Sequence, residues 1–125
     1  EWACVHGKNR YGTLRRAVFD RLDAGKSLIA AIDVQGVRSV CAVAEKDAAL
    51  RRALTTIFVA PATIDELRAR LAGRGDDPAD VDRRMQTALA ELQEADRYQH
   101  RIASTTRDAD YAALLAIWRA AAERG

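Results

Sequence analysis

Cysteine is nearly absent from this 125-residue chain: Cys4 and Cys41 are the only two, far apart in sequence. That excludes a disulfide framework and reads as a reduced, cytoplasmic protein. Histidine is as scarce, with His6 and His100 alone. Cys4-Val5-His6 offers half of a metal site, but no second Cys/His pair completes a tetrahedral set. No apolar run approaches the ~18 residues of a membrane span, and no signal peptide opens the sequence. Neither sign of charge dominates: 20 Lys and Arg against 18 Asp and Glu leave +2, so no global field argues for nucleic acid or membrane as a partner. Internal repeats, linkers and low-complexity stretches are missing too. The length suits one domain with a real core. Its first residue is Glu1 rather than Met, in a segment that reads as structured, so the chain is expected to begin inside a longer protein.

What is present is an arginine-rich basic complement. Arginine offers a rigid fork for phosphate and carboxylate, so in a chain of balanced charge it hints at phosphate ligands. The stretch Ser27 to Gly36 organises the rest. Leu28 to Ile32 is an uninterrupted apolar run, the pattern of a central parallel strand covered on both faces. Asp33 arrives at its carboxyl end, the edge where open α/β sheets bind ligands. Two readings of Asp33 stand side by side: a ligand-facing acid, or the cap of the following helix.

In chain order, Glu1 to His6 reads as a short strand and Gly7 to Thr13 as a loop. Thr13 caps a helix carrying Leu14, Val18 and Leu22, with Gly25 as its stop. Gly25-Lys26-Ser27 is no Walker A loop, because position 20 is Asp and the strand follows instead of preceding it. A helix is expected from Val37, with Glu45-Lys46-Asp47 as either a break or an exposed turn before Ala48 to Leu54, and a second buried strand over Thr55 to Ala60, ended by Pro61. Thr63 and Glu66 form a capping box for a helix with Ile64, Leu67 and Leu71 on its apolar stripe. Beyond a Gly-bounded turn, Pro78 opens a long amphipathic helix through Val81, Met85 and Leu92. Tyr98 to Ser104 is a weak strand, and a last helix from Asp108 is expected to cover the sheet with Tyr111, Leu114, Leu115 and Trp118.

Arg70 and Arg74 flank the Gly-bounded turn and Arg84 lies on the next helix. Converging arginines neutralise a phosphoryl group in transfer. The competing reading is a solvated helix face with acidic partners.

Glu1-Trp2-Ala3, His6-Gly7 with Tyr11-Gly12-Thr13, Ile32-Asp33-Val34-Gln35-Gly36, Phe58-Val59-Ala60-Pro61, and Arg70-Leu71-Ala72-Gly73-Arg74-Gly75 followed by Arg83-Arg84-Met85 together resemble the guanylate kinase family. Each piece is weak, but they occur in the family's order over nearly the whole chain. The resemblance implies an α/β fold, a P-loop NTPase-like parallel sheet flanked by helices, with a helical lid and incomplete at its amino terminus. Residues 1-13 would end the GMP-binding subdomain, 14-62 form a core βαβ, 63-97 the lid helices, and 98-125 a core strand and final helix. The implied activity is transfer of the γ-phosphate of ATP to GMP, with Mg2+ accompanying ATP. Glu1 and Thr13 would read the guanine base, Tyr11 the GMP phosphate, and Arg70, Arg74 and Arg84 would close on the transferred group. Asp33 would stand behind the phosphate and magnesium site without being a direct ligand.

Departures from the family are equally specific. Its glycine-rich phosphate loop, and the strand leading into it beside Leu28 to Ile32, would lie upstream of Glu1. Ala31 takes the place of a second guanine-holding acid, and Ser104-Thr105 that of an Asn-Asp step near adenine. Three readings follow: a fragment of an active guanylate kinase, inactive alone; a guanylate-kinase-like module that binds phosphopeptides; or a decayed copy. The lid arginines favour the first.

Overall fold

The computed structural model describes residues 2–5, 9–12, 15–73, 75 and 77–124, those up to residue 15 by their backbone. The elements are β1 (Trp2–Val5), β2 (Asn9–Gly12), α1 (Arg15–Asp23), α2 (Val34–Lys46), α3 (Ala48–Ala53), β3 (Ile57–Pro61), α4 (Ile64–Ala72), α5 (Pro78–Leu92), β4 (His100–Ser104) and α6 (Arg107–Arg124). They fall into two compact units, Glu1–Leu54 and Thr55–Gly125.

In the first unit β1 pairs antiparallel with β2, Ala3 opposite Tyr11. The loop expected over Gly7 to Thr13 therefore contains a strand, because the residues of β2 find ladder partners in β1. Helix α1 stops where expected. Gly25 has φ 67°, the left-handed conformation that glycine adopts without steric cost. Its N–H bonds the Leu22 carbonyl, and the Lys26 N–H reaches the Arg21 carbonyl, both at 2.9 Å, which is the Schellman closure of a helix.

The central strand expected over Leu28 to Ile32 is not formed: the segment belongs to no sheet among the described residues. Ile29 is 68% exposed, and Leu28 and Ile32 are exposed as well. Apolar side chains make a strand only where a ladder satisfies the backbone and a neighbouring layer covers the faces. Helix α2 also begins three residues before the expected Val37. Asp33 caps it: its Oδ1 accepts the Gly36 N–H at 2.8 Å. The expected break is Asp47, which ends α2 and caps α3, accepting from the Ala49 and Leu50 N–H groups at 3.0 Å each. Ala44 and Leu50 are the buried apolar residues of these two helices.

The second unit is a βαβ arrangement in which α4 and α5 cross between two parallel strands. Register pairs run from Ile57 with His100 to Pro61 with Ser104. The ladder is pinned at its start. Thr56 N–H donates to Gln99 Oε1 at 2.8 Å, Gln99 N–H returns to Thr56 Oγ1 at 3.0 Å, and His100 N–H bonds the Thr56 carbonyl. Thr63 caps α4 by accepting the Glu66 N–H, and Glu66 reaches back to the Ala62 N–H, both at 3.2 Å. The capping box thus closes one residue further out than its usual form. Pro78 occupies the first turn of α5.

Phe58, Ala60, Met85, Ala95 and Ile102 form the buried apolar core of this unit. Phe58 meets Tyr98 edge to face with ring centroids 5.0 Å apart, a favoured aromatic geometry. Helix α6 packs against β4. Tyr111 and Trp118, expected to cover the sheet, are 64% and 42% exposed instead. A sheet of two strands is too narrow to occupy every apolar side chain along an 18-residue helix. The α/β class and parallel pairing are therefore present, in a sheet smaller than expected.

Candidate functional site

The carboxyl end of β4 carries a connected polar cluster. Ser104 is the last residue of the strand and, at 6% exposure, a buried polar side chain. A buried hydroxyl must be paired in both senses to avoid a desolvation cost. Ser104 is: its Oγ donates to Asp110 Oδ2 at 2.6 Å and accepts from Arg70 Nη1 at 3.1 Å. Arg70 Nη2 also reaches the Ser104 carbonyl at 3.4 Å. On the other side, Thr105 N–H donates to Asp110 Oδ1 at 3.0 Å.

Three elements position this cluster. Arg70 projects from the last turn of α4, Ser104 ends β4, and Asp110 lies in the first turn of α6. Capping by Thr106, whose Oγ1 accepts the Ala109 N–H at 3.3 Å, fixes that first turn. The Ser104 hydroxyl and Thr105 N–H hold the Asp110 carboxyl below the usual carboxylate range. Partial burial opposes this and the Arg70 charge adds to it. Beside the cluster lies an open cavity of about 590 Å³ lined by Val59, Ile102, Asp110, Tyr111 and Leu114. Val59 and Ile102 are register partners on one face of the sheet.

The site residues expected from sequence are placed as follows. Arg70 is exposed overall yet anchored to Ser104, so it is neither a freely solvated side chain nor one paired directly with an acid. Arg84 lies half-buried on α5. Arg74 lies outside the described residues. The solvated-face reading holds for other arginines of these helices: Arg83 pairs with Asp80 at 2.7 Å, and Arg68 stands 3.9 Å from Asp82 across α4 and α5. Asp33, in the first unit, makes the capping bond of the plainer reading through Oδ1. Glu1, Thr13 and the side chain of Tyr11 lie outside the described residues. No group of three His, Cys, Asp or Glu side chains that could hold a metal occurs among the described residues, and no described helix is long and apolar enough to cross a membrane.

Sequence reasoning did not single out Asp110. The available signal was an acid in the first turn of a helix beginning shortly after a strand, where the helix dipole favours negative charge.

An α/β chain with a parallel strand pair, and an arginine, a serine and an aspartate joined at its carboxyl end, is the class defined so far. No family model matches the chain. It is 43% identical over 101 residues to a guanylate kinase of Chromohalobacter salexigens, covering 80% of this chain and 44% of that protein. A guanylate kinase of Leifsonia xyli is 41% identical over 107 residues, covering 85% of this chain and 39% of the relative. One of Streptomyces coelicolor is 39% identical over 118 residues, covering 94% and 56%. This chain is a relative of the guanylate kinase family, matching the C-terminal part of its members. It spans about half the length of the curated relatives it matches.

Proposed function

We propose that this chain is the C-terminal portion of a guanylate kinase with a P-loop type core, which transfers the γ-phosphate of ATP to GMP. The observation that carries this reading is the extent of the match, because an alignment at 39% identity that covers 94% of the chain takes in both units. It therefore includes the stretch bearing Arg70, Arg74 and Arg84. Phosphoryl transfer asks for positioning and for charge neutralisation on the migrating group. The three arginines supply that charge. Glu1 and Thr13 hold the guanine and Tyr11 the GMP phosphate, while Asp33 stabilises the start of α2 behind the phosphates. Magnesium bound with ATP neutralises charge on the phosphates.

The test is GMP-dependent release of ADP from ATP by the gene product that carries this chain, followed with a coupled assay. GMP-dependent turnover is expected from that protein, and little or none from the 125 residues alone. Retained GMP or phosphopeptide binding without turnover would overturn the enzyme reading in favour of a binding module.

A further inference from the structure

We propose that Asp110, acting through the Ser104 hydroxyl, is the positioning residue for the Arg70 guanidinium. This rests on the reading of Arg70 as a phosphoryl-binding arginine, and deepens it.

The chain of bonds has a direction. Asp110 Oδ2 accepts the Ser104 proton at 2.6 Å, which turns a hydroxyl lone pair toward Arg70 Nη1 at 3.1 Å. A short hydrogen bond to a carboxylate polarises the hydroxyl and makes it a better acceptor. The second contact, from Nη2 to the Ser104 carbonyl, fixes the plane of the fork. Two of the five guanidinium N–H donors are thereby committed, and the others are left for an anion. Ser104 is buried with its hydroxyl satisfied in both senses, so it acts as a relay and not as a ligand group.

The arrangement also accounts for serine at this position, where the family resemblance expects an amide. A hydroxyl is small enough to be enclosed between an acid and an arginine, and it both donates and accepts. Asp110 lies on α6 and Arg70 on α4, so the relay ties the end of the first lid helix to the carboxyl edge of the strand pair. Held this way, Arg70 approaches a phosphoryl group with its orientation already set, which lowers the ordering cost of the contact.

Nitrogen-15 NMR of the arginine side chains in the 125-residue chain tests this, with Asp110→Asn and Ser104→Ala as variants. Asp110→Asn keeps an oxygen for the Thr105 N–H, and Ser104→Ala leaves that bond untouched, so each preserves the first turn of α6. In the parent protein the two Arg70 Nη signals are expected to be distinct, with rotation at least about tenfold slower than for the exposed Arg16. Each variant should speed that rotation about tenfold while amide protection in the β3–β4 ladder stays unchanged. Equal rotation in parent and variants would overturn the proposal. Tripolyphosphate is then added as the probe. A shift of the Arg70 Nε signal that weakens about three- to tenfold in Asp110→Asn supports positioning for an anion. Slowed rotation with no response to tripolyphosphate would keep the relay and overturn the phosphoryl role of Arg70 instead.

Discussion

Asp110 carries the clearest pH signature at the level of single residues. Its carboxyl is held below the ordinary value of 3.8 by the Ser104 hydroxyl and the Thr105 N–H. A group whose acidity is strengthened in the folded state stabilises that state at pH values where it is ionised in both states. The contribution is fully present above about pH 5 and is lost as the pH falls through the lowered value. Urea midpoints measured from neutral pH to about pH 2.5 should therefore fall less steeply for Asp110→Asn than for the parent chain, once below about pH 4. Identical acid limbs would contradict this assignment. Asp33 and Asp110 contrast in legibility. Both helix-start roles follow from an acid near a first turn, and capping by Asp33 was one of two readings open from sequence. The tie from Asp110 to Arg70 was not legible, because it joins residues 40 positions apart through a serine whose burial only the fold reveals.

Individual elements were readable wherever a local bond decides them. Thr63, Asp47, Gly25 and Pro78 mark boundaries because each acts on backbone groups within a few residues. Asp47→Ala is expected to cost about 1 kcal/mol, since it removes the acceptor for two N–H groups at the start of α3. Gly25→Ala should cost about 1–2 kcal/mol, because a side chain there meets the backbone in the left-handed region, although open space surrounds it. Both costs are measurable by urea unfolding, and a stability unchanged within 0.3 kcal/mol, a margin on the order of the additivity error, would contradict the cap or the strain. Leu28 to Ile32 departs from its expected strand for the opposite reason. Its apolar pattern is real, but a parallel strand is a property of the sheet around it and has no local bond to enforce it. The pairing of β2 with β1 is not legible in Asn9 to Gly12, whose composition is turn-like, because cross-strand pairing outweighs that propensity.

On the scale of the whole molecule, the apolar residues outnumber the places made to bury them. Ile29 and Val59 are 68% and 57% exposed, one in each compact unit. Large apolar side chains left exposed within each unit offer surface to a partner or to aggregation. The 125-residue chain should accordingly bind the dye ANS well above the level of a folded globular control, and Ile29→Ser and Val59→Ser should each lower the signal with helical content unchanged. Dye binding at the control level would contradict the exposure. The α/β class and a parallel sheet could be anticipated from sequence, but the parallel pair joins β3 to β4 and not the Leu28 to Ile32 run to β3. The number of strands could not, because neighbours in a sheet are chosen by long-range pairing.

In the function proposed above, Arg70, Arg74 and Arg84 meet a phosphoryl group passing from ATP to GMP. The most direct test of that role is the coupled ADP-release assay on the gene product, run with parent protein and Arg74→Ala. An arginine that acts chiefly in the transition state should, when removed, lower kcat by about 10²- to 10³-fold with KM for GMP changed less than about threefold. An unchanged kcat in Arg74→Ala, or a parent protein that binds GMP without any GMP-dependent ADP release, would contradict it.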